Sequence, residues 1–226
     1  MKLPSRFAIV ALAFAGLSAS AWAQTPPAKK EPEAAGRKEK LVDIKDIKIQ
    51  VQKTPDFTLK GGTTDKRVRP KDWIEIEPEF KTLRSPMDKK AEVVPELTFK
   101  YYVFLNSSVR ENARILTAEV IHTNVPIDEV THSVVYISPS TILRVTGKPE
   151  GNATLVSAYA VEVTKNGEVV GFFSKAGGAT VDNPSDPKGK WWEMKTAPAQ
   201  EPALLAKPQT PFAPLWGDFH ADVKAK

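Results

Sequence analysis

The chain has 226 residues, a formal net charge of +5, 19 prolines and no cysteine. An apolar content of 41% is sufficient for a hydrophobic core, and the length suits one domain with tails. A sequence without cysteine cannot form disulfides, supply a thiolate nucleophile or hold a metal through thiolate ligands.

Residues 1–23 have the three parts of a secretory signal peptide. A positively charged start precedes an apolar run over residues 7–17, and small residues follow in the Ala-Trp-Ala sequence of residues 21–23. The run is short for a membrane span, although an uncleaved N-terminal anchor is the alternative. We expect an exported protein that begins at Gln24 and acts in the periplasm or at the cell surface, with no transmembrane segment in the mature chain.

Cleavage would remove Lys2 and Arg6 and leave the mature chain with a net charge of +3, which is too small to predict nucleic-acid binding.

Two charged segments of the mature chain are expected to be solvated. Residues 24–40 are rich in proline and charge, so we expect a flexible linker. The basic loop around Arg67 is interpreted as a solvated loop, with contact to an anionic partner as the alternative.

From residue 41 to about residue 195 the chain consists of short segments typical of β-strands. Residues 43–52, 73–80 and 97–105 alternate apolar and polar side chains with the period of two that a half-buried strand requires. Helix is the competing interpretation, but no window shows a clear helical stripe with caps. Four later segments are apolar on both faces and suit strands in the middle of a sheet: 114–123, 130–138, 141–146 and 155–164.

The clearest turn signal is Asn166-Gly167, which lies between two apolar segments. A type I′ turn needs a positive φ at both central residues, which Asn and Gly tolerate best. We predict a hairpin with this two-residue loop, in which Lys165 faces Glu168 and Val163 faces Val170.

The end of the chain changes character again. Residues 190–195 predict a last strand, and residues 196–226 form a proline-rich tail in which residues 197–215 are expected to lack regular structure. Eight or nine short strands without intervening helices predict an all-β fold. We expect an immunoglobulin-like antiparallel β-sandwich over residues 41–195, with extended N- and C-terminal segments.

No motif predicts catalysis. The sequence contains neither a phosphate-binding loop nor a nucleophile elbow. His122 and His132 could approach one another on adjacent strands, but they lack a third metal ligand. Glu75, Glu77 and Glu79 share one face of one strand, which predicts a solvated face rather than the opposed carboxylates of a glycosidase. We therefore predict no enzyme activity, no cofactor and no metal site.

The tail carries large apolar side chains close to the end of the chain. Such residues supply much of the binding energy wherever they find a pocket. We expect them to dock on the apolar surface of their own domain, near two aromatic side chains of the 97–105 segment, or on a neighbouring subunit. The candidate partner-binding residues are Phe212, Leu215, Trp216, Phe219, Tyr102 and Phe104.

The leader, the sandwich-like strands and the T-P-F-A-P-L-W sequence of residues 210–216 resemble secreted immunoglobulin-like proteins of verrucomicrobial bacteria. Some of those proteins are encoded beside type IV pilus-like genes. The resemblance implies a binding role with envelope or pilus-like proteins as partners. Trp73, Trp191 and Trp192 could instead stack on sugar rings, which leaves a carbohydrate-binding module as the alternative.

Overall fold

The computed structural model describes residues 40–56, 69–86, 88–107 and 110–225. The predicted signal peptide, nearly all of the predicted linker and Arg67 lie outside the described residues. The one α-helix of the described part is α1 (Pro139–Thr146). The strands there are β1 (Val42–Lys53), β2 (Asp72–Thr82), β3 (Val93–Leu105), β4 (Arg114–Pro126), β5 (Val130–His132), β6 (Val135–Ile137), β7 (Val156–Lys165), β8 (Glu168–Ala176), β9 (Ala179–Val181), β10 (Gln200–Glu201) and β11 (Leu204–Ala206).

These strands form two sheets. The first sheet has the order β1-β2-β6-β11, with β5 also paired to β2, and the second has the order β10-β4-β3-β7-β8-β9. Neighbouring strands are antiparallel, apart from the parallel pair of β10 and β4. The fold class predicted from the sequence, an all-β sandwich, is confirmed.

The alternating strands build the core between the sheets. On β3 the apolar face predicted from the sequence is fully buried from Leu97 to Leu105. On β2, Ile74, Ile76 and Phe80 are fully buried as well, and the Phe80 ring lies 4.8 Å from that of Phe99. Burial of each such side chain stabilises the fold by about 1.5–3 kcal/mol, so these contacts between β2 and β3 hold the two sheets together.

Each sheet also carries a separate apolar cluster outside this core. On the first sheet the cluster contains Trp73, Val134, Tyr136 and Phe212, of which Phe212 comes from the tail. On the second sheet it contains Ile115, Ala160, Phe172 and Trp192. Strands with apolar residues on both faces are therefore covered on both faces by the chain itself.

The segment 141–146 is helical, so the strand predicted there is wrong. Ser138 caps the helix by accepting a hydrogen bond from the Thr141 N–H at 3.2 Å, and Pro139 occupies the first turn. Gly147 ends the helix in the left-handed conformation, with φ of 74°. Ser-Pro before and Gly after the segment are helix boundary signals, and they outweigh the β-propensity of its Thr, Ile and Val residues.

The predicted hairpin forms, but with a register that differs beyond the first pair. Asn166 and Gly167 have φ of 52° and 82°, as a type I′ loop requires, and Lys165 faces Glu168. A bulge after the next pair places Val163 opposite Gly171, so the predicted pairing with Val170 is wrong. An extra residue in one strand shifts every later pair, and the turn sequence alone does not reveal it.

Gly171 lies where β8 touches β1, and this contact requires glycine. A β-carbon built there would lie 2.8 Å from the Val42 Cβ and 2.9 Å from the Val42 carbonyl oxygen. We expect Gly171→Ala to lower the free energy of unfolding by about 1–3 kcal/mol, because backbone would have to move. Gly217→Ala is the matched control, since nothing lies within 4 Å of its added carbon. Urea denaturation of both variants tests this, and equal stability would contradict it.

Two predictions for the C-terminal region are wrong. Residues 190–195 contain the 3-10 helix Trp191–Glu193 rather than a strand, following the 3-10 helix Pro187–Gly189 that Asp186 caps. Residues 197–215 are not devoid of regular structure, because β10 and β11 add to the edges of the two sheets. Both strands are short enough to fit between prolines, which lack the N–H that a longer paired strand would need.

Candidate functional site

The tail docks on its own domain through Phe212. This side chain is 1% exposed, and its ring stacks on Tyr136 at 4.6 Å and meets the edge of Trp73 at 5.7 Å. Leu215 is half-buried against the same cluster. Docking on the chain's own surface agrees with the expectation from sequence, but the location is the outer face of the first sheet, away from the predicted neighbours of the tail.

Those predicted neighbours, Tyr102 and Phe104, lie on the second sheet. Tyr102 is half-buried and stacks on Trp192, with ring centroids 4.1 Å apart and planes 9° from parallel. Phe104 is half-buried against the same cluster, and Trp191 also packs there. Because Trp73 and Trp192 are buried and Trp191 is half-buried, none of these three tryptophans is the open stacking platform that a sugar site would need.

Two of the three carboxylates that the sequence placed on a solvated face are buried, Glu75 and Glu77. Glu75 is 1% exposed and accepts hydrogen bonds from the side-chain amides of Gln50 and Gln52 at 2.5 Å and 3.3 Å. Glu77 is buried against His220 of the tail, while Glu79 stays half-exposed. The prediction of a solvated face is therefore wrong for Glu75 and Glu77, because side chains of β1 bind Glu75 and a tail residue binds Glu77.

A buried polar chain joins the tail to β2. The Lys207 ammonium, 7% exposed, lies 3.3 Å from His220 Nδ1, and His220 Nε2 lies 3.1 Å from a Glu77 oxygen. An ammonium can only donate, so Nδ1 accepts and the ring proton on Nε2 is donated to the Glu77 carboxylate. Burial raises the pKa of Glu77, but the hydrogen bond from His220 and nearby positive charge, including that of Lys48, lower it overall. Burial lowers the pKa of Lys207.

The same lysine fixes the backbone of a turn at Trp216. Lys207 Nζ donates to the Trp216 carbonyl oxygen at 3.0 Å, and the N–H groups of Phe219 and His220 donate to this oxygen at 3.3 Å and 3.4 Å. Trp216 has φ of 53°, a left-handed conformation that is an outlier for a bulky residue. Such strain persists only where surrounding contacts impose it, and here a buried ammonium does so.

This turn points two large apolar side chains outward. Trp216 is 44% exposed and Phe219 is 48% exposed. The Phe219 ring stacks on His132 at 4.0 Å. We call residues 216–219 the turn surface, and it contains the two exposed members of the predicted partner-binding set.

Beyond the turn, the last described residues tie the two sheets together. The Ala221 N–H donates to the His132 carbonyl in the first sheet at 2.8 Å, and the Lys224 N–H donates to the Ile121 carbonyl in the second sheet at 2.8 Å. The Thr123 N–H donates to the Asp222 carbonyl at 3.1 Å. The tail therefore closes one end of the sandwich.

A second buried network lies beneath this closure. His122 Nδ1 is 3.1 Å from the carbonyl oxygens of Ala221 and Asp222, so it carries the proton, and His122 Nε2 accepts from the Ser133 hydroxyl. Tyr101 in turn donates to Ser133. Burial is the main cause that lowers the pKa of His122 to about 4. Ser133 is 0% exposed and His122 is 1% exposed, so the whole network is buried.

The two histidines considered as a metal pair lie in different sheets, His122 on β4 and His132 on β5. Within the described residues, no three His, Asp or Glu side chains are grouped so that they could hold a metal ion. In the same part of the chain, no helix is long and apolar enough to cross a membrane.

Comparison with known proteins agrees with this architecture. One protein-family model matches residues 33–226, which is most of the chain. The chain belongs to that family. A crystal structure of a protein from Akkermansia muciniphila, a verrucomicrobium, is 28% identical, with a TM-score of 0.68 over 82% of this chain and 94% of that one. No curated protein sequence matches.

The family match includes the tail, whose buried polar contacts no local sequence pattern predicts. Lys207 and Ser133 carried no recognisable motif, and His220 stood alone in the tail. Each gains its role from a partner far along the chain, such as Glu77, which is 143 residues from His220.

Proposed function

We propose that this chain is a non-enzymatic, exported binding protein of the cell envelope, and that it binds a protein partner through the turn surface. The observation that carries this proposal is that the aromatic side chains of the tail differ in burial. Phe212 is buried as an anchor, while Trp216 and Phe219 remain about half exposed on a fixed backbone. Exposed Trp and Phe side chains on a rigid support are typical of residues that contribute most to protein–protein affinity.

Export and an envelope location are supported by the signal-peptide pattern of residues 1–23. The resemblance to secreted verrucomicrobial proteins encoded beside pilus-like genes makes an envelope or pilus-like protein the partner to look for. A structural role in assembling such a surface structure fits a chain whose two sheets are both covered by its own segments.

Site-specific photocrosslinking in living cells tests the proposal. A photoreactive amino acid at Ala213, which is exposed beside the turn surface, is expected to capture one exported envelope protein, identified by mass spectrometry. The same group at Met194, also exposed but on a different segment, is the control and should not capture it. Failure of position 213 to capture any envelope protein would overturn the proposal.

A further inference from the structure

A cavity opens directly beside the turn surface. It has a volume of about 300 Å³ and lies between the turn, the end of β4 and the start of β5. Its lining includes Asp218 and His220. The rings of Trp216 and Phe219 lie 6.3 Å and 5.2 Å from the His220 ring, so both exposed aromatic side chains are next to the cavity. The other lining residues that matter here are Asp222, Asn124, Thr123 and Thr131.

The charged side chains of this cavity are all acidic. Asp218 and Asp222 are exposed, and neither carboxylate forms an ion pair with any described residue. The nearby cations are engaged elsewhere, since Lys224 pairs with Glu96 at 2.6 Å and Lys207 is held at the Trp216 carbonyl. Both ring nitrogens of His220 are also occupied, by Lys207 and Glu77.

Two uncompensated carboxylates in one concave site, next to two exposed aromatic rings, favour a cation with an apolar stem. A carboxylate forms its strongest hydrogen bonds with an ammonium or guanidinium group. Aromatic faces attract the same cations, and the aliphatic stem of Lys or Arg packs on apolar surface. A neutral sugar would use the rings but would leave both negative charges uncompensated.

We propose that the turn surface and this cavity together bind a basic segment of a protein partner. A Lys or Arg side chain enters the cavity between Asp218 and Asp222, and an adjacent apolar side chain packs on Trp216 and Phe219. This inference rests on the proposed function, because it names the chemistry of the partner that the turn surface binds.

The site is prepared before binding. Trp216 of the turn surface and Asn124 of the cavity lining both have left-handed backbone conformations, with φ of 53° and 52°. The buried Lys207 ammonium holds the first of them. Because this backbone is already ordered in the free chain, little conformational entropy of this chain is lost when the partner binds.

Charge-neutralising variants of the full chain test the inference in cells. Asp218→Asn with Asp222→Asn removes two negative charges and keeps the side-chain shapes, and we expect photocrosslink yield from position 213 to fall at least tenfold. The control pair, Asp182→Asn with Glu168→Gln, changes the net charge equally at two exposed residues on other segments and should leave the yield unchanged. An unchanged yield in the Asp218/Asp222 pair would overturn the basic-segment inference.

A purified measurement separates this result from failure of the proposed function. NMR titration of the full chain with an alternating Leu-Lys peptide is expected to shift the amide signals of residues 216–222, and the matching Leu-Glu peptide is expected not to shift them. Equal shifts with both peptides, or shifts with a neutral N-acetylglucosamine oligomer instead, would overturn the inference in favour of apolar or sugar binding. If position 213 captures no envelope protein even in the parent chain, the proposed function itself fails.

Discussion

Replacing Phe212 with alanine is expected to lower the free energy of unfolding by about 3–5 kcal/mol, the range found when a buried phenylalanine is truncated. The side chain is 1% exposed and packs against Tyr136 and Trp73, so its removal leaves a cavity in the outer cluster of the first sheet. Chemical denaturation of the purified chain measures this directly.

Phe219→Ala is the matched control for that experiment. It removes the same side chain from the same tail, but at a position that is 48% exposed, so the loss should be about 1 kcal/mol or less. Similar losses for the two variants would mean that Phe212 does not anchor the tail on its own domain.

Stability is expected to fall as the pH is lowered from about 6.5 to about 4, because of His122. In the folded chain the pKa of His122 is lowered to about 4, mainly by burial, whereas an unfolded histidine titrates near 6.5. Between these values the unfolded chain binds a proton that the folded chain does not, so the free energy of unfolding rises with pH. At about 1.4 kcal/mol per pH unit, the loss amounts to roughly 3 kcal/mol at pH 4.

His122→Gln isolates this contribution. The variant loses stability at neutral pH because the hydrogen bonds around Ser133 are disturbed, so the informative quantity is the slope of unfolding free energy against pH. We expect a smaller slope than in the parent between pH 4.5 and 6.5, by up to one proton. Glu77, whose pKa is also lowered, loses its stabilising effect at lower pH in both proteins, so its contribution cancels in the comparison. Identical slopes would contradict the assignment of a buried neutral His122.

The sandwich could be predicted from sequence because its main signals are local. The alternation on β2 and β3 assigned their buried faces, and Asn166-Gly167 located a hairpin loop. The helix α1 was missed although its boundary residues, Ser138 and Gly147, carry the usual capping signals. Its short length and β-branched composition favoured a strand, but the capping residues at its two ends outweighed that preference.

The candidate site was predictable only in part. The cluster of apolar residues in the tail marked Trp216 and Phe219, but whether each tail residue is buried depends on what it meets. Glu75 and Glu77 looked solvated because the alternation of a strand does not show that a distant segment will cover its polar face. The chain Lys207–His220–Glu77 joins residues so far apart in sequence that no local pattern could reveal it.

The central claim is that the tail is anchored by Phe212 and presents Trp216 and Phe219 to a partner. The most direct test measures photocrosslink yield from position 213 and the melting temperature together, in the double variant Trp216→Ala, Phe219→Ala. The account predicts a yield reduced at least tenfold with a melting temperature within a few degrees of the parent, since both side chains are about half exposed. A yield equal to that of the parent, in a variant that folds normally, would contradict it.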